Sequence, residues 1–542
     1  MAGMHEDAIR DGEGPGGGGQ EPGEQEVVAF LLRPEAYAER PGRVDLVETH
    51  GARIFLAGAK AIKVKKRVKL PFLDFSTLEL RRRACAREVE LNQPHAPEIY
   101  ERLVAITRKP DGGLELGGGG PVVEWAVLMR RFEQSSLLAH IAETGPLSPK
   151  TCTDLAAMAA RYHRSSPIAE CADGPGIIGA VVRQLVGALE QAAPMVGADA
   201  AALFKDRAGA TLERLSALLA ERARAGAVRR CHGDLHLGNI VLIGERPVPF
   251  DALEFNEALA TIDVLYDLAF LLMDLEFRGD RRAANLVLNH YVGARPAGGE
   301  IEGLAALPLF LACRAGVRAV VAVERSRQKP AAEREADKLL ARRYVAMANA
   351  FLAPPPASLV AVGGLSGTGK STLAARLAPE IGPSPGALHV RSDVERKRLF
   401  GVEETQRLGP EHYAEAVSDK VYALLLDTAE RALAASHAVV VDAVFAKPAE
   451  RRAVAEIAER TGRSFAGLWL EAPVEKLVAR VEVRRGDASD ANAQVVRGQA
   501  ARDLGPIAWT RIDAGGTPEL TFDAAAAALR GPGIMGRERP RP

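Results

Sequence analysis

One short segment limits the possible folds of this chain more than any other. Gly364-x4-Gly369-Lys370-Ser371 lies directly between an apolar run at 358–363 and a stretch with helical spacing. A strand, a glycine-rich loop and a helix in this order surround a phosphate with backbone N–H groups, and the helix N-terminus adds positive potential. The segment therefore predicts a nucleotide-binding α/β domain. A glycine-rich turn without a ligand is the alternative, and the lysine and serine in register count against it.

The residues after 357 show the pattern of a parallel sheet. The apolar runs that alternate with helical stretches there cover 358–363, 387–391, 438–442 and 465–470. Such alternation is typical of parallel strands that are covered by helices on both faces. A proline-rich segment at 353–357 comes just before them and predicts a domain boundary, because successive prolines end a helix and favour an extended linker.

The glycine-rich loop also defines a set of ligand contacts. Lys370 is expected to reach the β- and γ-phosphates, and Ser371 is expected to ligate Mg²⁺. The residues predicted to bind ATP are Gly364, Gly367, Gly369, Lys370, Ser371 and Thr372.

Two carboxylates end predicted strands downstream of this loop. Asp393 follows the run 387–391, in a position to accept the proton of an acceptor hydroxyl, and Arg396 comes one helical turn later, in a position to hold an anionic group. Asp442 ends the run 438–442 and is predicted to contact Mg²⁺ through water or to bind substrate. A helix N-cap is the alternative role for Asp442.

Arg484 and Arg485 precede a glycine-containing break, and cationic side chains recur before it at helical spacing. They are predicted to fold over the phosphates as a lid; a solvated charged helix is the alternative. Together these motifs resemble the small-molecule and polynucleotide 5′-hydroxyl kinases of the P-loop class, over most of residues 358–525. That resemblance implies ATP and Mg²⁺ as ligands and Asp393 as a catalytic base.

A second motif, His232-Gly-Asp234-Leu-His-Leu-Gly-Asn239, has the spacing of a kinase catalytic loop. Asp234 is placed to orient or deprotonate an acceptor hydroxyl, while Asn239, five residues later, reaches a Mg²⁺ ion. Asp251, twelve residues after Asn239, fits a second metal ligand. The alternative is a polar turn followed by an ordinary helix cap.

The HGDLHxxN and FDxxEF pattern resembles the aminoglycoside-phosphotransferase superfamily. This resemblance implies a two-lobed, protein-kinase-like fold in which Lys63 holds the α/β-phosphates and Glu88 is its ion-pair partner. Lys65 competes with Lys63 for that role, and Glu90 competes more weakly with Glu88. The resemblance further places the interlobe hinge at residues 124–130, and it implies that Asp263 and Asp267 brace the catalytic loop.

The fusion as a whole resembles bacterial bifunctional aminoglycoside phosphotransferase/ATP-binding proteins over about residues 26–525. The fold class that follows is a multidomain α+β and α/β chain. The predicted parts are a disordered tail at 1–25, a kinase-like domain at 26–352, the linker at 353–357, a P-loop kinase domain at 358–530 and a second tail at 531–542.

Composition narrows the functional classes. Lysine plus arginine and aspartate plus glutamate both number 70, so no overall positive field favours nucleic acid or an anionic membrane. The five cysteines form no CxxC pair, and there is no basic and apolar leader, which together predict a cytoplasmic protein. The oligomeric state does not follow from the sequence.

The leading hypothesis is a kinase that uses ATP and Mg²⁺ at two sites and phosphorylates hydroxyls of small molecules. One alternative is a regulatory protein with a ligand-binding pseudokinase domain and a P-loop nucleotide switch. Another is a nucleic-acid 5′-hydroxyl kinase, which the balanced charge disfavours without excluding.

Overall fold

A computed structural model of the chain describes residues 22–49, 51–70, 73–294, 297–484, 486–531 and 533–535. These residues form two compact units. The catalytic-loop unit consists of the described parts of 1–177 and 222–274, and the P-loop unit consists of those of 178–221 and 275–542. The predicted linker at 353–357 therefore lies inside the P-loop unit. Separate folding of residues 1–352 and 357–542 stays a prediction.

The catalytic-loop unit begins with a helix and a lobe rich in strands. Its elements are α1 (Pro22–Leu31), β1 (Val44–Glu48), β2 (Ala52–Ala57), β3 (Lys60–Lys65), β4 (Lys69–Leu70), β5 (Leu73–Asp74), α2 (Leu78–Asn92), β6 (Tyr100–Arg108), β7 (Leu114–Leu116) and β8 (Val122–Arg130). Six of the described strands form one antiparallel sheet in the order β1-β2-β3-β8-β6-β7. The Thr77 hydroxyl caps α2, and Cys85 on this helix packs into the core beneath the sheet.

Two expectations for this lobe are wrong. Residues 124–130 belong to β8, which pairs with β3 on one side and β6 on the other, so their backbone groups bond the neighbouring strands and are not a free hinge. The connection to the helical lobe starts after Arg130. Helix α1 begins at Pro22, inside the segment predicted as a tail, whereas residues 1–21 lie outside the described residues.

A mostly helical stretch of the chain follows, and within it residues 178–221 and 275–277 belong to the P-loop unit. Its elements are α3 (Leu138–Thr144), α4 (Pro149–Ser165), α5 (Gly174–Gln191), α6 (Ala193–Val196), α7 (Ala198–Arg224), β9 (Val228–Arg230), β10 (Ile240–Ile243), β11 (Arg246–Pro249), α8 (Glu257–Ala260), β12 (Thr261–Asp263) and α9 (Val264–Phe277). The catalytic loop connects β9 to β10. These two strands belong to different two-stranded sheets, since β9 pairs with β12 and β10 pairs with β11.

The P-loop unit contains a parallel sheet flanked by helices. Its further elements are α10 (Arg281–Ala294), α11 (Glu300–Gly303), α12 (Leu307–Gln328), α13 (Glu335–Phe351), β13 (Ser358–Gly364), α14 (Lys370–Leu377), β14 (Leu388–Arg391), α15 (Ser392–Leu399), α16 (Glu415–Ala434), β15 (Val439–Asp442), α17 (Pro448–Thr461), β16 (Ser464–Glu471), α18 (Val474–Val483), α19 (Ala493–Ala500), β17 (Thr510–Asp513) and α20 (Pro518–Arg530). The described strands of this sheet run in the order β14-β15-β13-β16-β17 and are all parallel.

The four apolar runs predicted as strands are confirmed as β13 to β16. Strand β17 was not predicted, because Ile512 is its only buried residue and no apolar run marks it. The tail expected from residue 531 is wrong for its first residues, since Ile534 is buried and packs into the core of the sheet. Residues 536–542 lie outside the described residues.

One helical stretch, Glu300–Gln328, is long and apolar enough to cross a bilayer by length and composition. Its most apolar window is 78% buried among the other residues of the protein. Such burial fits the core helix of a helical lobe, whose apolar surface is already covered by protein.

Candidate active sites

The catalytic loop is held by a carboxylate on α9. Asp267 accepts hydrogen bonds from the backbone N–H of His232 (3.1 Å) and of Gly233 (2.9 Å). The His163 ring nitrogen Nε2 lies 3.1 Å from the same carboxylate. Asp267 therefore has the bracing role that the sequence predicted. Asp263 braces the loop less directly, through a buried ion pair with Arg222 (2.7 Å) beside β9.

Asp234 and Asn239 meet at the base of this loop. The Asn239 amide donates to the Asp234 carboxylate (2.9 Å) and to the Asp234 carbonyl (3.0 Å), and both side chains are buried. Among the described residues, the Asn239 Oδ1 atom is buried without a hydrogen-bond partner. An amide oxygen in this position is a ligand that Mg²⁺ accepts, so the residues present fit a metal ion.

Both predicted lysines of β3 reach the same acid. Lys63 Nζ lies 2.8 Å from Glu88 Oε1 and 2.5 Å from Asp251 Oδ1. Lys65 Nζ lies 2.6 Å from Glu88 Oε2 and also pairs with Glu254. Lys63 is thus the lysine that joins Glu88 to the predicted metal ligand, while Lys65 anchors Glu88 from the other side.

Glu90 does not take part in this cluster. It is exposed and pairs with Arg87 on the same helix (2.8 Å). Glu254, in contrast, was not predicted, although it belongs to the FDxxEF motif. Its partner Lys65 lies 189 residues earlier in the chain, so only the tertiary structure brings them together.

The charges of this cluster stabilise one another. Burial acts to lower the pKa of Lys63, but Asp251 and Glu88 outweigh it and hold that pKa well above its ordinary value. Burial likewise acts to raise the pKa of Glu88, and the two lysines bring it below its ordinary value. The ion pair is therefore charged on both sides at neutral pH, as a lysine that binds phosphate requires.

Asp251 itself is held in a strained conformation. Its φ angle is 61°, in the left-handed region, and its N–H donates to the Tyr100 hydroxyl (3.1 Å). The next N–H, of Ala252, donates to Asn92 Oδ1 (2.8 Å). The side chains of Tyr100 and Asn92, which the sequence did not reveal as site residues, therefore fix the turn that directs Asp251 toward Lys63.

The glycine-rich loop of the P-loop unit joins β13 to α14 as predicted. Gly364 and Gly367 have φ angles of 138° and 86°, which other residues rarely adopt. A Cβ atom at Gly364 would lie 2.6 Å from the Leu470 carbonyl, and one at Gly367 would lie 2.7 Å from the Leu477 carbonyl. Both conformation and space therefore demand glycine here. Gly369 is the N-cap of α14, with Lys370, Ser371 and Thr372 in its first turn.

Asp393 and Asp442 face Lys370 from the ends of β14 and β15. Both carboxylates act to raise the pKa of Lys370, although burial outweighs them and lowers it. Burial and the nearby Asp442 raise the pKa of Asp393 above its ordinary value. For Asp442, burial is outweighed by the nearby His389 ring, whose Nε2 lies 3.5 Å from the carboxylate, and by Lys370, so its pKa is lowered. The two carboxylates thus differ in basicity, and Asp393 is the stronger base.

Arg396 is placed on α15 as predicted, and protein groups contact it there. Its guanidinium donates to the His412 carbonyl (2.7 Å) and lies over the Tyr413 ring, 4.6 Å from the centroid. Its Nε atom is buried and, in the part of the chain that the structure describes, has no hydrogen-bond partner. The role of Arg396 in binding substrate stays a prediction.

The predicted lid is an irregular loop between α18 and α19. Arg484 donates to the carbonyls of Ser489 and Ala491 (both 3.1 Å) and lies near enough to Lys370 to lower its pKa. Asp487 pairs with Arg391 at the end of β14 (2.9 Å). The loop thus lies beside Lys370, the lysine predicted to bind phosphate, as the predicted lid requires. Arg485 lies outside the described residues.

Two protein families match the chain. The Phosphotransferase enzyme family matches residues 79–303, and an AAA domain family matches residues 359–503. The protein Rv2004c of Mycobacterium tuberculosis strain H37Rv is 32% identical over 491 residues, which covers 89% of this chain and 94% of that protein.

Solved structures resemble separate parts of the chain. A gluconokinase from Sinorhizobium meliloti is 22% identical over 32% of this chain and 93% of its own, with a TM-score of 0.24. The aminoglycoside 2′-phosphotransferase-IIIa is 12% identical over 59% of this chain and 99% of its own, with a TM-score of 0.36.

The family matches agree with the two constellations of residues described above, one in each compact unit. The chain is a phosphotransferase of the kinase type, in which the Phosphotransferase enzyme family match precedes the P-loop AAA domain match, and it belongs to the same family as its mycobacterial relative.

Proposed function

We propose that the protein is a bifunctional cytoplasmic kinase that transfers the γ-phosphoryl group of ATP to hydroxyls of small molecules at two separate sites. One observation carries this proposal. Each compact unit holds, within itself, a lysine for phosphate, a carboxylate suited to Mg²⁺ and a second carboxylate suited to an acceptor proton. Neither site needs a residue of the other unit to complete this set.

At the first site, Lys63 is fixed by Glu88 and is charged, so it stabilises the phosphates of ATP. Asp234 takes the proton of the acceptor hydroxyl as that oxygen bonds to the γ-phosphorus and the bond to ADP breaks. The carboxylate keeps its position because Asn239 donates to it and because Asp267 fixes the loop on which it lies.

At the second site, the backbone of residues 364–369 surrounds the phosphates, and Lys370 neutralises their charge. Asp393, the stronger base of the two carboxylates there, takes the acceptor proton. Arg484 lies close enough to this lysine to stabilise charge that develops on the transferred group.

Mg²⁺ would bind Asn239 and Asp251 at the first site and Ser371, with Asp442, at the second. When bound, such an ion offsets the negative charge of the phosphates. The unpartnered Asn239 Oδ1 and the low pKa of Asp442 both support this assignment.

The test uses the full chain and a panel of aminoglycosides, sugars, nucleosides and 5′-hydroxyl oligonucleotides, with ATP consumption as the measurement. Asp234→Asn should silence one group of acceptors and Asp393→Asn another, each by about 10²–10⁴-fold in rate, with ATP affinity unchanged. Asp251→Asn should also weaken Mg²⁺-dependent ATP binding, because this carboxylate is assigned to the metal.

The same panel separates the alternatives. Activity only with oligonucleotides would favour the nucleic-acid kinase. A loss of every activity with Asp393→Asn alone would mean that the first site does no chemistry, and the hypothesis of two catalytic sites would be wrong.

A further inference from the structure

A helix that precedes the proline-rich linker contacts the edge of the P-loop sheet. Strand β14 is the first strand in the sheet order, so it pairs with β15 on one side only. Among the described residues, no strand pairs with the backbone groups on its other side. Helix α10, which lies in the same compact unit, supplies side chains to them instead.

Two asparagines one helical turn apart make these contacts. Asn285 donates to the Ala387 carbonyl (3.0 Å), and Asn289 donates to the same carbonyl (3.3 Å). The N–H of His389 donates to Asn289 Oδ1 (2.7 Å). An amide side chain that both donates and accepts thus reproduces the pattern of a neighbouring strand.

Further hydrogen bonds support the contact between α10 and β14. Asn285 is 2% exposed, and Asn289 also donates to Asn285 Oδ1 (3.2 Å), which fixes the two side chains relative to one another. At the start of α10, Arg281 donates to Ser384 Oγ (2.7 Å) and to the Pro379 carbonyl (2.5 Å) in the segment that leads into β14. The helix therefore holds the strand and the segment before it.

What β14 carries makes this contact relevant to catalysis. The strand ends at Arg391, and Asp393 follows in the first turn of α15. His389, whose backbone is bound by Asn289, also directs its ring to Asp442 (3.5 Å). A shift of β14 would therefore move Asp393, the proposed base, together with the His389 ring that contacts Asp442.

We propose that Asn285 and Asn289 are positioning residues of the P-loop site, which fix Asp393 by holding the free edge of β14. This inference rests on the proposed kinase activity of that site. It assigns to a helix within the Phosphotransferase enzyme family match, residues 79–303, a role in the chemistry of the other domain.

The experiment compares two full-length proteins, one with Asn285→Ala and Asn289→Ala and one with Arg282→Ala, an exposed residue of the same helix. Both carry Asp234→Asn, so that ATP hydrolysis with water as acceptor reports only the P-loop site. Hydrogen exchange of the backbone is measured alongside turnover.

The double variant should lose about 10–10²-fold in kcat with KM for ATP unchanged, because a catalytic group displaced by about 1 Å costs rate while β13 still carries the phosphate loop. Exchange should accelerate at residues 387–393 and stay unchanged at 359–372. A variant with Asn285→Ala and Asn289→Asp keeps an acceptor for the His389 N–H. Its kcat should therefore be higher than that of the double alanine variant.

Unchanged exchange at 387–393, or an unchanged kcat, would overturn the proposal. So would a parallel change of kcat and KM with faster exchange in β13, since that is the result of general destabilisation. If the protein with Arg282→Ala hydrolyses no ATP and phosphorylates no acceptor, the proposed function fails at this site, and the exchange at 387–393 still decides whether α10 holds β14.

Discussion

Asp234 and Asp393 have the same proposed task but opposite electrostatic surroundings. Burial acts to raise the pKa of Asp234, yet nearby groups, His236 first among them, outweigh it and lower that pKa to about 2. For Asp393, burial and the neighbouring Asp442 act in the same direction and raise its pKa. The first base therefore stays ionised well below neutral pH, and the second is protonated more readily.

The two sites should consequently differ in their response to acid. A base works only when ionised, so a raised pKa moves the loss of activity to higher pH. With Asp234→Asn, which leaves the P-loop site, kcat measured between about pH 4.5 and 8 should begin to fall with acid at a higher pH than the kcat of the Asp393→Asn protein. With Asp393→Asn, which leaves the other site, kcat should show no acidic loss due to the base in this range.

The control for this comparison is the melting temperature of both variants across the same range, which must not change where kcat does. Equal acidic losses at the two sites would contradict the assignment of the bases. A loss confined to the Asp234 site would reverse it.

At the residue scale, the sequence predicted the motifs well and the contacts between motifs less well. The alternation of β3 puts Lys63 and Lys65 on one face, so the pattern alone left both as candidates. The choice depends on Asp251 and Glu254, which are distant in sequence. Tyr100 and Asn92 were missed for the same reason, since their role lies in bonds to the backbone beside Asp251.

At the scale of elements, one carboxylate joins three segments around the P-loop site. Asp490 in the lid loop accepts from Lys397 on α15 (2.6 Å), from the Tyr413 hydroxyl (2.6 Å) and from the Leu408 N–H (3.1 Å). The Lys397 and Asp490 side chains are 1% and 9% exposed. The lid is thus tied to the helix that carries Arg396 through a buried ion pair.

Asp490→Asn should destabilise this part of the protein substantially. It leaves the buried Lys397 ammonium without its carboxylate, which typically costs about 3–5 kcal/mol in the free energy of unfolding. The measurement is urea denaturation, with hydrogen exchange at residues 401–413 to locate the change. Glu430→Gln is the matched control, since its pair with Arg460 is exposed and should contribute less than about 1 kcal/mol.

An Asp490→Asn protein as stable as the Glu430→Gln protein would show that the ion pair does not hold the lid. Equal acceleration of exchange in every segment of the P-loop unit would show that the effect is not local to the lid.

Helices and strands whose apolar residues recur at regular spacing could be predicted from the sequence. Elements with few or irregularly spaced apolar residues could not. In helix α2, Leu78–Asn92, the charged and apolar positions follow helical spacing. The start of helix α1 was not predicted, because it continues a segment rich in glycine and glutamate that has no apolar period. Residues 124–130, which the resemblance implies are the hinge, form part of a central strand instead, and the apolar run at 125–129 fits that strand.

At the scale of the whole molecule, the linker and the compact units divide the chain differently. Residues 353–356 are exposed, as expected for a segment open to proteases, yet α10 to α13 before them belong to the same unit as the sheet after them. Besides the contacts of α10, Arg431 on α16 pairs with Glu302 on α11 (2.6 Å). The proline-rich linker at 353–357 therefore does not coincide with the limit between the two compact units.

Cleavage at 353–357 by a protease of broad specificity should leave the two fragments associated. The contacts of α10 and α11 persist after the cut, so one peak that contains both fragments is expected in size-exclusion chromatography under native conditions. The same sample in urea, where the fragments must separate, is the control. Two peaks under native conditions would mean that these contacts do not hold the fragments together, as the sequence prediction of independent halves implies.

The two asparagines of α10 have a further consequence for the solubility of fragments. A strand at the edge of a sheet presents unpaired N–H and C=O groups, which invite pairing with another chain and lead to aggregation. In the intact protein, Asn285 and Asn289 bond two groups at this edge, the carbonyl of Ala387 just before β14 and the N–H of His389 within it. A fragment that begins at the linker would display the bare edge, so its self-association is a property that α10 suppresses in the whole chain.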